Sequence, residues 1–171
     1  DFALFELAQD FHAAGLFDRA EHVYEQLTGT AFEAEAVTRL ASVLEQEKAW
    51  PRAIAARERI ARLKGEPQGR FIAQYHCELA DAAFAAGDDV ALQAHLAAAH
   101  EVNRNNARIP LITFALAMRR GDHAVAKDAL SDLLRLRPDL TTLAADGIVE
   151  LYKAEGTPAR AVEQLAYAQS L

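Results

Sequence analysis

One pattern of small and large residues recurs along the chain with a period of about 34 residues, and it limits the folds open to the sequence. The pattern places an apolar face on one helix, a glycine that ends this helix, and an apolar stripe with a small residue on a second helix. Its first copy consists of Leu7, Ala8, Phe11, Gly15, Ala20, Tyr24 and Leu27. The position of Ala20 recurs at intervals of 33, 39, 34 and 35 residues, at Ala53, Leu92, Ala126 and Ala161. Five copies in phase predict five helical hairpins that cover almost the whole chain.

The turn inside each hairpin is marked by a residue suited to end a helix. Glycine occupies this turn in four of the five copies, at Gly15, Gly87, Gly121 and Gly156. Glycine is the residue that most easily adopts the left-handed conformation that ends many helices. The second copy departs from the pattern, with Lys48 at the equivalent place.

This order of small and large residues resembles the tetratricopeptide repeat. The resemblance implies an all-α fold, a superhelical solenoid of about five antiparallel helix pairs whose first (A) helices line the concave side. We expect a single domain over residues 1–171, with repeats at about 1–30, 31–66, 70–104, 107–138 and 139–171. The Gly- and Pro-containing segment 65–69 is interpreted as a surface loop between two hairpins, because the repeat phase resumes directly after it.

Composition excludes several classes of function. The 171 residues contain 18 Lys and Arg against 25 Asp and Glu, a net charge of −7. Nucleic-acid binding is disfavoured, because binding proteins of that class carry a basic surface. The longest apolar run, near residues 111–118, is far shorter than the roughly 20 residues of a membrane helix, so we expect a soluble segment. A single cysteine, Cys77, excludes an internal disulfide and fits a reducing compartment.

No catalytic or metal-binding pattern is found, and we predict neither an enzyme nor a cofactor in this segment. The chain has no Gly-rich phosphate loop and no nucleophile motif. Asp88, Asp89 and Asp122 are interpreted as helix caps, because each begins a second (B) helix of a pair. The six histidines form no metal-ligand spacing; they lie at positions 12, 22, 76, 95, 100 and 123.

What remains is a surface for protein partners. By helical phase, one row of A-helix residues faces the concave side and forms the predicted partner-binding groove. Its members are Phe2, Phe5, Gln9, His12, Thr38, Ser42, Glu45, Gln74, Cys77, Asp81, Phe84, Arg108, Leu111 and Met118. Phe2 and Phe5 either bind a ligand or pack on a neighbouring repeat, and both alternatives stay open. The Lys and Asn carboxylate clamp of some repeat co-chaperones is missing at these positions, which disfavours recognition of a chaperone's acidic tail.

Longer stretches carry a closer resemblance. The segments LFELAQDFHAAGLFDRAEHVYEQLT, WPRAIAARERIARLKG and IAQYHCELA, with the later HEVNRNNARI, resemble the repeat region of the bacterial lipopolysaccharide assembly protein B family. The resemblance implies a cytoplasmic adaptor, tethered to the inner membrane by an N-terminal helix and carrying a rubredoxin-like metal motif at its C-terminus, neither present in this sequence. Its implied partners are the membrane protease FtsH and the deacetylase that commits carbon to lipid A. The alternatives are the repeat arm of an N-acetylglucosaminyltransferase-like protein and a repeat scaffold of an unrelated pathway.

The two ends of the sequence suggest a further property. The chain begins without Met inside a repeat helix, and no polar capping helix follows the last repeat, so it is interpreted as an excised segment. Because each solenoid repeat buries its face on its neighbours, uncapped ends are expected to associate. We therefore predict self-association through a terminal repeat, as a symmetric homodimer.

Overall fold

The computed structural model describes residues 1–170 and is helical throughout, without strands in this range. Ten α-helices and one 3-10 helix follow each other in helix-turn-helix pairs. Their bounds are α1 Phe2–Ala13, α2 Phe17–Gln26, α3 Glu33–Gln46, α4 Trp50–Lys64, α5 Gly69–Ala86, α6 Asp89–Val102, α7 Arg108–Arg120, α8 His123–Leu136, the 3-10 helix Pro138–Ala144, α9 Ala145–Ala154 and α10 Ala159–Ser170. The predicted all-α repeat architecture is confirmed. The predicted end of the last helix, Leu171, lies outside the described residues.

The chain divides into two compact units, residues 1–75 and the residues from His76 on, with the division inside α5. In the first unit, α3 packs against both α1 and α2, and the core includes Tyr24, Leu27 and Leu44. In the second unit, α7 packs against α8 and α9 around Phe114, Ile148 and Leu151. The prediction of one domain over the whole chain stays a prediction.

The residues that set the repeat phase are buried at the helix crossings. Ala20, Ala53, Leu92, Ala126 and Ala161 are each at most 1% exposed. Four of these five side chains are methyl groups, which lets the B helix approach its A helix closely and leaves no space for a larger side chain. The registration of the five hairpins predicted from the sequence is therefore confirmed at every copy.

All five hairpins use the same turn. The residue at the turn has a positive φ, close to 70° at the four glycines and 58° at Lys48. The next amide donates to the carbonyl five residues earlier at 2.9 Å in every copy, which is the Schellman bond that satisfies a free helix-end carbonyl. Lys48 therefore takes up the glycine geometry although it carries a side chain.

Two of the three predicted capping aspartates are observed as caps, whereas Asp89 is the first residue of α6 and pairs with Arg119 and Arg120. The Asp88 carboxylate accepts from the Ala91 amide at 3.0 Å, and the Asp122 carboxylate accepts from the Val125 amide at 3.1 Å. Both are side-chain caps of B helices. Pro51 and Pro110 lie in the first turns of α4 and α7, where the missing N–H leaves no bond unmade.

The fifth repeat begins differently from the predicted pattern. Pro138, expected to close the fourth repeat, is instead the first residue of a 3-10 helix that precedes the short α9. The hydroxyls of Thr141 and Thr142 donate to the carbonyls of Pro138 and Asp139 at 2.6 and 3.0 Å. Each hydroxyl thus binds the carbonyl three residues earlier in the chain. We attribute the 3-10 geometry of this segment to these bonds, because they use carbonyls that would otherwise accept α-helical bonds.

Candidate docking surfaces

A depression of about 430 Å³ in the first unit is formed by α1, α2 and α3. Its lining consists of Gln9, His12, Ala13, Tyr24, Arg39 and Gln46. Nε2 of Gln46 lies 2.9 Å from Nε2 of His12, so a hydrogen bond joins α3 to α1 across the lining. The structure thus brings together Gln9 and His12, as the helical phase predicted.

Two polar groups of this depression have no partner within residues 1–170. Tyr24 is 1% exposed, and its hydroxyl makes no hydrogen bond. Burial raises the pKa of this hydroxyl, and the nearby Arg39 cation partly offsets the rise. Arg39 is exposed and forms no ion pair with any carboxylate in that range. The same holds for Arg19, Arg62 and Arg70 of this unit, whereas Arg52, Arg57 and Arg59 are paired.

A second depression, of about 290 Å³, lies in the second unit between α5, α7 and the start of the fifth repeat. Its lining is mostly apolar and includes Phe84, Leu111, Phe114, Met118 and Leu143, with Asp81 and Arg108 at one side. Leu143 is 70% exposed, so this lining presents an apolar side chain directly to solvent. The predicted residues Asp81, Phe84, Arg108, Leu111 and Met118 are therefore assembled at one place.

Charged groups fix the edge of the second depression. Arg108 forms ion pairs with both Glu78 and Asp81 of α5. The Arg119 guanidinium lies 3.9 Å from the centroid of the Phe84 ring and donates to the Phe84 carbonyl at 2.8 Å. This stacking holds the ring in place by a cation–π contact.

Close packing at the second depression requires a glycine. A Cβ at Gly147 of α9 would lie 2.7 Å from an edge carbon of the Phe114 ring, shorter than any real contact of that kind. Gly147 therefore lets α9 approach α7, and this approach shapes the depression. Sequence reasoning did not single out this glycine, because it interrupts no periodic apolar position.

Two predicted groove residues, Cys77 and Glu45, are placed differently. Cys77 is fully buried, so its expected exposure in the groove is wrong; α5 buries a wider surface than one helical stripe, including Ile72, Ala73, Tyr75, Cys77 and Ala80. Burial also raises the pKa of the Cys77 thiol to about 11. Glu45, predicted to face the groove, is half-buried; it pairs with Arg57 and accepts from the Tyr75 hydroxyl. The Thr38 hydroxyl donates to the Ala34 carbonyl of its own helix at 2.7 Å.

The remaining predicted residues lie in the first unit. Phe5 stacks on Phe32 with ring centroids 5.6 Å apart and meets Tyr24 edge-on at 6.2 Å. Phe2 also contacts Phe32, at 6.0 Å, but stays 59% exposed. Packing on the neighbouring repeat is thus the alternative observed for Phe5. The side chains of Ser42 and Gln74 are half-buried.

Sequence reasoning missed several residues that line these surfaces. Arg39 and Gln46 follow the same helical stripe as the predicted Ser42, three residues before it and four after it, so the phase contained the signal. Tyr24 was assigned only to the core, because the repeat pattern places an aromatic residue there. His76 and His95 contact each other with Nδ1 atoms 3.3 Å apart, a pairing across α5 and α6 that no spacing indicated.

Two further properties bear on function. No helix of residues 1–170 is both long and apolar enough to cross a membrane. In the same range, no three His, Cys, Asp or Glu side chains are grouped so that they hold a metal ion.

The hairpins, their shared turns and the buried small residues define the class of the protein: an all-α tandem-repeat protein of the tetratricopeptide type. Two crystal structures of MamA share the fold, each with a TM-score of 0.59, at 19% and 20% identity. They cover 99% and 95% of this chain, which covers 90% and 92% of theirs. At that identity the likeness concerns the fold alone. No protein-family model matches the chain.

Curated relatives are more specific. Lipopolysaccharide assembly protein B of Escherichia coli strain K12 is 29% identical over 164 residues, which are 95% of this chain and 42% of that protein. The protein of the same name in Haemophilus influenzae is 30% identical over 137 residues, 80% of this chain and 34% of that protein. This similarity confirms the resemblance to the repeat region of the lipopolysaccharide assembly protein B family. The chain spans about two fifths or less of the length of these relatives.

Proposed function

We propose that this chain is a non-catalytic scaffold that docks protein partners in lipopolysaccharide assembly. The observation that carries the proposal is the similarity to lipopolysaccharide assembly protein B over 95% of the chain. The second depression supports a docking role, because a patch with Phe84, Leu111, Met118 and the exposed Leu143 buries apolar area when a partner covers it. Such a role requires no cofactor in this segment.

The finer form of the proposal names the partners. The scaffold brings the deacetylase of the lipid A pathway to the membrane protease FtsH, and so sets the amount of the deacetylase. It acts on the cytoplasmic side of the inner membrane, held there by an anchor outside this segment. The resemblance to lipopolysaccharide assembly protein B supports the choice of these partners. Substitutions in the second depression test whether the partners bind there.

The test compares substitutions in the second depression with one on a B helix. Leu143→Ser removes an exposed apolar side chain, and Phe84→Ala removes the ring under Arg119. The matched control is Val90→Ser on α6, where the valine is 81% exposed. Binding of each variant to the purified deacetylase and to FtsH is measured by calorimetry, and folding by circular dichroism.

We expect Phe84→Ala to lose about 2 kcal/mol or more of binding free energy to one partner, as a central aromatic anchor does. Leu143→Ser is expected to lose less, and Val90→Ser to bind as the parent chain does. If Val90→Ser alone lost binding, the docking surface would lie on the B helices. If the parent chain bound neither protein, the finer proposal would be wrong.

A further inference from the structure

We infer that the first depression is a site for a carboxylate group of a partner polypeptide, held by Arg39 and the Tyr24 hydroxyl. This inference rests on the proposed docking function and adds the chemistry of one contact. Among residues 1–170, the site combines a cation without an ion pair, a buried hydroxyl without a hydrogen-bond partner and the amides of Gln9 and Gln46.

The Tyr24 hydroxyl is the decisive group. Buried hydroxyls nearly always have a hydrogen-bond partner, and an unmade bond of this kind costs about 1–3 kcal/mol. Tyr24 belongs to the lining of the depression and lies close enough to Arg39 to interact with its charge. Within residues 1–170, the hydroxyl without a hydrogen-bond partner and the guanidinium without an ion pair thus line the same depression, as two donors that one oxyanion could use.

The charge of the site favours a carboxylate over a phosphate. Among the described residues of the lining, Arg39 is the one Lys or Arg side chain. The whole chain carries a net charge of −7, so a dianion is opposed by the protein's field. A carboxylate, with one negative charge and two oxygens, matches one guanidinium and one hydroxyl.

The site differs from the Lys and Asn clamp that the sequence lacks. Its cation stands on α3, and its hydroxyl comes from α2, the B helix of the first repeat. The hydroxyl oxygen has almost no exposed area, so a carboxylate reaches it only when side chains of the lining move aside. Arg39 and Gln46 are both exposed, and a movement of Gln46 breaks its hydrogen bond to His12.

The experiment titrates the 171-residue chain with four short peptides at constant ionic strength, followed by backbone amide NMR shifts. Ac-Ala-Ala-Leu-Ala with a free C-terminus is compared with its amide, and Ac-Ala-Leu-Glu-Ala amide with its Gln counterpart. The first pair tests a terminal carboxylate, and the second pair tests a side-chain carboxylate. Sodium phosphate serves as the competing anion.

We expect one carboxylate-bearing peptide to shift the amide signals of α1 and α3. Its dissociation constant is expected to be about tenfold lower than that of its neutral counterpart, which corresponds to the gain of one charge-assisted hydrogen bond. Arg39→Gln is expected to remove this difference. The matched control is Arg62→Gln on the exposed side of α4, which changes the net charge equally and is expected to keep it.

Tyr24→Phe separates a ligand role from a structural one. If the hydroxyl holds the carboxylate, the variant binds the peptide several-fold more weakly without loss of thermal stability. If the hydroxyl only satisfies an internal water, the variant binds as the parent does, and the inference is overturned. Preference for phosphate over every peptide also overturns it.

The outcome for the site and for the proposed function can be told apart. A chain that binds the deacetylase or FtsH but none of the peptides keeps its docking function without a carboxylate site. A chain that binds a peptide through Arg39 but neither protein has the site and not the proposed partners.

Discussion

The Ala49 amide donates to the Leu44 carbonyl at 2.9 Å, the same bond that Leu16 makes to Phe11 in the first hairpin. Between Leu44 and Ala49 lies Lys48, which has a φ of 58°; the other four hairpins have glycine at this position. A residue with a side chain is strained in this region by about 1–2 kcal/mol. The second hairpin therefore keeps the turn at the expense of local strain.

This strain predicts the effect of Lys48→Gly. We expect the variant to be more stable by up to about 1 kcal/mol, because relief of strain exceeds the extra entropy that glycine gives the unfolded chain. The reciprocal variant Gly121→Ala is expected to lose about 1 kcal/mol, and no atom within 4 Å of its new Cβ complicates the comparison. Urea unfolding measures both, and a lower midpoint for Lys48→Gly would contradict the strain at this turn.

Helix crossings give the second prediction. Ala20→Leu and Ala126→Leu are each expected to lose about 1–3 kcal/mol of stability, because both alanines are fully buried and the facing helix has no space for a larger side chain. Ala55→Leu on the exposed side of α4 is the control and is expected to change little. Unchanged urea midpoints in the two buried variants would refute the hairpin registration.

The third prediction concerns Arg57, whose side chain is 11% exposed. Its guanidinium pairs with Glu45, donates to the Tyr75 hydroxyl at 3.0 Å and lies 3.8 Å from the centroid of the Phe71 ring. We expect Arg57→Lys to lose about 1–3 kcal/mol, because an ammonium cannot make the stacked and forked contacts together.

The control for Arg57 is the same substitution at Arg62, an exposed residue of the same helix. Both variants keep a positive charge, so a lower melting temperature of Arg57→Lys than of Arg62→Lys at the same pH reports the lost contacts of the Arg57 guanidinium and not a change of charge. Equal melting temperatures would show that the Arg57 contacts contribute nothing beyond their charge.

A carboxyl pair in the first unit predicts a pH dependence. A hydrogen bond shared with Glu21 raises the pKa of Glu47 to about 6, above its ordinary value. The proton is therefore held more tightly in the folded state, and the stability it supplies is complete below the unfolded pKa and is lost as pH rises through 6.

We expect the melting temperature of Glu47→Gln, measured relative to that of the parent chain, to be higher at pH 7 than at pH 5. Glutamine remains a neutral partner of Glu21 at both pH values, whereas Glu47 loses its proton in this range. Glu58→Gln, on the exposed side of α4, serves as the control and is expected to show a constant difference over this range. A constant difference for Glu47→Gln would rule out the shared proton.

Much of the fold was predictable from the sequence, because the repeat supplies each local signal several times. Each hairpin has an alanine at its crossing, a glycine at its turn, or both, and the observed helix pairs lie inside the predicted repeat bounds to within about a residue. The fifth repeat departs because Thr141 and Thr142 redirect bonds locally, which a periodic pattern does not represent.

The candidate sites were predictable only in part. Helical phase gave the side of each A helix, and so found Phe84, Leu111 and Met118 together. It gave no account of pairing between side chains, and therefore did not predict that Glu45 pairs with Arg57. It also assigned one buried stripe to α5, which misplaced Cys77.

The buried position of Cys77 allows alkylation of its thiol to report how fast α5 opens. Cys77 is the single cysteine, has no exposed area, and has a thiol pKa raised by burial to about 11. An alkylating reagent at neutral pH meets neither surface nor thiolate until α5 opens. We expect the alkylation rate, followed by mass spectrometry, to reach the opening rate of this helix at reagent concentrations where alkylation outpaces reclosing and the rate no longer rises with concentration. The alkylation rates with and without a bound partner then show how far that partner slows the opening, without any engineered label.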